Sequence, residues 1–346
     1  MFKDPRKLSF LLLFLLTVTF YSCEKVDKPI SQRTTKGDIQ LGGNLKVAVS
    51  ELPESFAPSQ ISNAIASEIG MHLHDGLLKQ DSKTLEIIPG LAESWSVDDA
   101  GTSYIFTLRK RSSFHKDDCF GNGSRGINAQ DFVFSFKQLC SSGESKAFET
   151  TFKNRVLGAN EFHAGDSEEL VGVKAIDDYT LSIQLAKPDP SFLFVLAQPS
   201  TGVVSEKAVA KYGKESTVGA GPFALVSFGS ELVLVRNEDY YSEDAFGNRF
   251  PYIDTLIFKS ITTRDQQLDA FFNGDIDLVS GVYPDPVKQI LEQHVADFSG
   301  KNPKYVMQRE SESVGYESYS IYRASIKAFE NNFMGYRDFS RVQIEQ

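Results

Sequence analysis

The chain has 346 residues, 36 Lys+Arg against 46 Asp+Glu, a formal charge of −10 and 41% hydrophobic residues. That length supports a large core and, as a prior, about two domains. An acidic balance with no basic run excludes the electrostatic footprint of a nucleic-acid binder.

Lys3, Arg6 and Lys7 give a positively charged start, and Phe10 to Tyr21 are almost all apolar. A run of about 12 residues is shorter than the roughly 20 needed to span a bilayer, so 1–22 reads as an export signal. Ser22 is the small residue before Cys23. The arrangement resembles a bacterial lipoprotein signal, in which that cysteine carries lipid, although Phe20 stands where Leu is usual and Tyr21 where a small residue is usual. An exported protein of the periplasm or cell envelope, held to the membrane through a lipidated Cys23, is the expectation. Polar residues up to Gly43 complete a tether over 23–43.

The folded part opens with "NLKVAVS", where Leu45, Val47 and Val49 alternate as in a strand. "SYIFTLRK" repeats the pattern with Tyr104, Phe106 and Leu108. "INAQDFVFSFKQLC" switches to helical spacing: Asn128 is an N-cap candidate, Asp131 sits three residues on, and Phe132, Val133, Phe136, Leu139 and Cys140 share a face. "VGVKAIDDYTLSIQL" predicts a strand, a turn at Asp177-Asp178 and a second strand. "SELVLVRNEDYY" predicts another strand, "TTRDQQLDAFFNGDIDL" a capped helix stopped by Gly274, and "DPVKQILEQ" a further helix. Strands and helices alternate after residue 170, which argues an α/β lobe.

Chemistry-bearing motifs are sparse. His72 and His74 are two apart, which on a helix places them on different sides, and His115, His163 and His294 are scattered. No metal site and no cofactor is expected. "VGAGPF" lacks the third glycine of a dinucleotide loop and the Gly-Lys-Ser/Thr of a P-loop, and reads as a turn where backbone passes closely. No Gly-x-Ser-x-Gly elbow occurs, and the many carboxylates read as solvated surface. No catalytic residue is assigned, and the protein is not expected to be an enzyme. With Cys23 lipidated, an exported chain permits a disulfide between Cys119 and Cys140, and two free thiols are the alternative.

Several blocks together resemble the family 5 extracellular solute-binding proteins, the dipeptide and oligopeptide receptors of ABC importers with nickel and other relatives. They are "LAESWSVDDAGTSYIFTLRKRSSFH", "INAQDFVFSFKQL", "VGVKAIDDYTLSIQLAKPDPSFL", "VGAGPFALVSF", "LVRNEDYY" and "PYIDTLIFKSITTRDQQLDAFFNGDIDL". The resemblance implies an α/β, type II periplasmic-binding-protein-like fold: two lobes about a hinge, the first carrying an inserted subdomain. It implies a first lobe over 44–83 and 170–305, the subdomain over 84–169, and the start of a second, largely missing lobe over 306–346. Ala57-Pro58 departs from the Asp-Pro that the family often has after the first strand.

The resemblance further implies capture of peptides outside the cytoplasmic membrane and delivery to a permease. A receptor for nickel complexes or other small solutes, a surface sensor or chaperone on the same fold, and an exported hydrolase are the alternatives. In peptide-binding relatives the backbone just after the Asp-Pro position meets the ligand, which here is Ile61, Ser62, Asn63 and Ala64, and an aromatic past the "DFVFSFKQL" helix lines the pocket, which here is Phe148.

Overall fold

The computed structural model describes residues 33–37, 39–121, 123–143, 145–310, 318–329 and 337–345. Cys23, the export signal and most of the tether lie outside the described residues. Two sheets organise the chain.

The larger sheet has seven strands, in the spatial order Phe223–Phe228, Glu231–Arg236, Thr255–Ser260, Asn44–Val49, Leu278–Val282, Tyr319–Arg323, Tyr305–Arg309. Its centre is parallel, with Asn44–Val49 between Thr255–Ser260 and Leu278–Val282, and its flanks are antiparallel. A strand buried on both faces carries apolar side chains on each. Accordingly Leu45, Val47 and Val49 enter one core with Ile69, Leu73, Phe223 and Leu256, whereas Ala48 faces a second with Phe271, Val279, Ile290 and Ile321. The helix Ala64–Leu73 supplies the first of these layers, and the helices Arg264–Asn273 and Pro284–Gln293 supply the second. Thr263 and Gln266 form the capping box of the former of that pair, and Gly274 ends it in the left-handed region.

The smaller sheet is antiparallel, in the order Ala92–Val97, Ser103–Leu108, Thr180–Gln184, Val173–Asp177. The helix Ala129–Cys140 packs on it. Asn128 and Asp131 form its capping box, and Phe132, Phe136, Leu139 and Cys140 are buried.

Two expected boundaries move. Val173–Asp177 and Thr180–Gln184, expected in the first lobe, pair within the small sheet because Thr180–Gln184 takes the free edge of Ser103–Leu108 and Val173–Asp177 pairs with Thr180–Gln184 in turn, so the subdomain runs past residue 169. Within 306–346, expected to begin a second lobe, the described residues join the large sheet and its core. Tyr319–Arg323 and Tyr305–Arg309 extend the sheet, and Ile326, Phe329, Phe339 and Val342 fill the core.

"VGAGPF" is the close passage that its glycines suggest. A Cβ on Gly219 would stand 2.1 Å from the Leu73 carbonyl oxygen, and one on Gly221 2.5 Å from the Leu73 carbonyl carbon. The segment thus runs against the end of the helix Ala64–Leu73, where the Gly221 N–H donates to the Leu73 carbonyl.

Cys119 and Cys140 are free thiols. Burial pushes the Cys140 thiol up to about 12 and the Cys119 thiol up to about 11, so neither is a ready thiolate nucleophile.

Candidate functional site

The loop between the first strand and the helix Ala64–Leu73 begins with a single turn, Pro58–Gln60. Ala57 holds the capping position of that turn with no side-chain acceptor, and the turn closes on backbone bonds: the Gln60 N–H donates to the Ala57 carbonyl and the Ile61 N–H to the Pro58 carbonyl. Asn63 then caps the helix, its side chain accepting from the Ala66 N–H at 2.8 Å. Between turn and cap the chain has no regular structure. Among the described residues the Ser62 N–H and C=O take part in no backbone hydrogen bond.

Ile61, Ser62, Asn63 and Ala64 line one wall of an open groove of about 430 Å³. The structure therefore brings four of the five expected ligand residues together. Ile61 is buried and anchors the wall, while Ser62, Asn63 and Ala64 are exposed along it. The facing wall is the subdomain segment with Lys146, Thr150 and Thr151, and Gln198 and Ser200 close the end. Wall meets wall at Ser59, whose carbonyl accepts from the Lys146 N–H at 2.8 Å, the Ala147 N–H at 3.2 Å and the Ser145 hydroxyl at 3.2 Å.

Phe148 is placed elsewhere. It is 2% exposed in the subdomain core, its ring stacked on His163 at 4.0 Å between centroids, and it does not line the groove. Its flanking residues Lys146 and Thr150 face the groove instead. Aromatic size drives Phe148 into the core, and the polar residues around it take the solvent side. Gln198 and Ser200 lie far along the chain, and nothing in their local sequence marks them.

A second cavity of about 450 Å³ lies on the neighbouring face of the same helix, where Ile65 and Glu68 replace Ala64 and Ser67. It sits at the carboxyl ends of the three parallel central strands, with Val49, Thr262 and Ser280 in its walls. Open α/β sheets bind ligands at such ends. Among the described residues no group of three or more His, Cys, Asp or Glu side chains is arranged to hold a metal ion. No helix among them is long and apolar enough to cross a membrane.

The sequence profile of the bacterial extracellular solute-binding proteins, family 5 Middle, matches residues 86–330. The chain belongs to this family. It is 28% identical over 253 residues to the periplasmic oligopeptide-binding protein OppA of Escherichia coli, a match covering 70% of this chain and 44% of that protein. It is 27% identical over 280 residues to the dipeptide-binding protein of the same organism, covering 78% and 49%. The structure of the murein tripeptide binding protein MppA of Escherichia coli superposes with a TM-score of 0.66 at 23% identity, covering 79% of this chain and 51% of that one. The α/β fold of periplasmic peptide-binding proteins is thus shared, and the chain spans about half the length of the curated relatives it matches.

Proposed function

We propose that this family 5 chain is part of the substrate-binding component of an ABC importer, that its ligand is a peptide, and that it passes the peptide to a permease. The observation that carries this reading is the exposed Ser62 on the wall of the groove, whose main chain takes part in no backbone hydrogen bond among the described residues. An extended peptide presents the same donors and acceptors whatever its side chains, so a receptor for varied peptides is served by free backbone. The names of the relatives, an oligopeptide-binding and a dipeptide-binding protein, point the same way. Export and anchorage through lipidated Cys23 complete the proposal, because a tethered receptor stays beside the permease.

Trialanine titrated into the full chain, followed by amide resonances, tests it. The expected result is saturable movement of the Ser62 and Asn63 signals, weakened when the central peptide nitrogen of the ligand is methylated. No movement at millimolar peptide would overturn the reading. Equal response to the methylated ligand would remove the role of backbone pairing.

A further inference from the structure

A third cavity, of about 220 Å³, shares no lining residue with the groove at Ser62. Three stretches meet around it: the paired strands Leu78–Gln80 and Ile87–Pro89, the loop that begins at Tyr240 and ends at Phe250, and the segment from Asp338 to Arg341. On one side the polar groups satisfy one another. Asp75, 2% exposed, accepts from the hydroxyls of Tyr240 and Tyr241, both at 2.8 Å, and pairs with Lys79 at 3.2 Å. Lys79 Nζ in turn donates to the Tyr240 hydroxyl at 2.6 Å.

Two arginines of the lining are held otherwise. Arg109 lies over the Tyr241 ring at 5.3 Å and Arg341 over the Phe250 ring at 5.5 Å. Arg109 spends Nε on the Gly90 carbonyl at 2.7 Å. Among the described residues its two terminal nitrogens, and the whole guanidinium of Arg341, make no hydrogen bond, and neither arginine forms an ion pair. Three carboxylates nevertheless line the same cavity. Asp81 accepts from the Lys83 and Thr84 N–H groups of its own turn, Asp338 accepts from the Ser340 N–H at 2.9 Å, and Glu243 stands 3.8 Å from Arg249. Arg341 and Asp81 attract each other, as do Lys79 and Asp338, without either pair forming a contact.

The lining thus sets Lys79, Arg109 and Arg341 against Asp81, Glu243 and Asp338, three charges of each sign. A ligand with a net charge would meet a like charge as well as an opposite one. Donors and acceptors face one space without closing on each other, so its occupant must accept from the guanidiniums and donate to the carboxylates at once. A hydroxyl does both, whereas an ionised group does only one. Pockets for drug-sized ligands run roughly 300–1,000 Å³, and a smaller cavity suits a single ring. The geometry points to a subsite for a neutral polyhydroxylated solute, a single sugar ring, with Arg109 and Arg341 donating to its oxygens and Asp338 and Glu243 accepting from its hydroxyls. This subsite lies outside the peptide groove and does not depend on the peptide reading.

Titration of the full chain with glucose, galactose and mannose, followed by the Arg109 Nε–H resonance, tests it, with glucosamine and glucose 6-phosphate as charged counterparts. The expected result is saturable movement with at least one neutral hexose, and binding about threefold or more weaker for the charged forms of glucose than for glucose itself. Arg109→Gln and Arg341→Gln, read by calorimetry, should each weaken the hexose about tenfold, as for one charge-assisted hydrogen bond, and leave the Ser62 response to trialanine unchanged. Arg341 is exposed, so its replacement keeps the test open should Arg109→Gln fail to fold. Silence toward all three hexoses at tens of millimolar would leave the cavity to water and overturn the inference. A charged form that binds more tightly than glucose, or hexose binding indifferent to both arginines, would overturn it as well. The trialanine response reports on the peptide reading separately in every case.

Discussion

Arg337 donates from Nε to Glu68 Oε1 at 2.5 Å, joining two residues 269 positions apart, both almost fully buried. The pair ties the residues after the last long strand of the sheet to the helix that carries the groove. Removing one partner of a buried pair leaves the other charge without compensation. Glu68→Ala is therefore expected to lower stability by about 3 kcal/mol or more. Glu68→Leu combined with Arg337→Met should recover most of that loss. Urea unfolding of the singles and the double measures the coupling, and a double variant as unstable as the worse single would contradict it.

Phe132 lies at 0% exposure between the small sheet and its helix. Phe132→Asp places an unpaired carboxylate there, and a loss of several kcal/mol, on the order of 4, is expected. An unchanged melting temperature would show that this helix does not pack on the sheet as described.

Three histidines are held neutral by burial: His72 at about 4, His74 at about 3 and His115 at about 4, against an ordinary 6.5. His72 sits among Phe223, Phe258 and Phe339. Each depressed value means that the unfolded chain takes up a proton which the folded chain refuses. Stability is then flat with respect to these groups above about pH 7 and falls as pH drops from 6.5 towards 4. Three such groups give a slope approaching about 4 kcal/mol per pH unit in mid-window. Chemical unfolding at pH 7.5, 6 and 5 measures this, and equal stability at pH 7.5 and 5 would show that the histidines are not held neutral.

Gly219→Ala brings a methyl group to 2.1 Å from the Leu73 carbonyl oxygen and 2.6 Å from the ring nitrogen of the buried His74, and the backbone carbonyl cannot swing aside. Gly229 has open space around it. Thermal unfolding of the two alanine variants should therefore differ, with Gly219→Ala losing about 2 kcal/mol or more and Gly229→Ala staying near the parent. Similar melting temperatures would remove the close passage.

Lipidation of Cys23 is expected from the short apolar run and Ser22. Metabolic labelling with a palmitate analogue should mark the parent chain and leave Cys23→Ser unmarked. Equal labelling of both would end the lipoprotein proposal.

The elements were legible where local pattern and tertiary demand agree. Asn128 and Asp131 announce a helix start and form its capping box, and Leu45, Val47 and Val49 alternate and share one core. The glycines of "VGAGPF" mark a passage whose partner, Leu73, no local pattern names. Strand partnership is set by edges rather than by local spacing, which is why Val173–Asp177 fell on the wrong side of a boundary. Residues 306–346 look like the start of something new, yet Phe329 and Phe339 are needed in a core begun at Leu45.

The candidate site was half legible. Ile61 to Ala64 are contiguous, so one loop delivers them together, whereas Gln198 joins them only through the fold. Phe148 shows the limit of carrying a position across by its aromatic character: beside His163 the ring is worth more to packing than to a ligand.

The parallel centre of the large sheet has a consequence for how the chain is made. Asn44–Val49 has no strand beside it until Thr255–Ser260 has been synthesised, and its other neighbour, Leu278–Val282, comes later still. At roughly 5–20 residues per second, the ribosome leaves this apolar segment without a sheet partner for on the order of 10–40 s. The subdomain can close its own sheet within that interval, because all four of its strands lie between Ala92 and Gln184. The strands of the subdomain are thus all made while Leu45, Val47 and Val49 still await theirs, which leaves the large sheet the slower of the two to form.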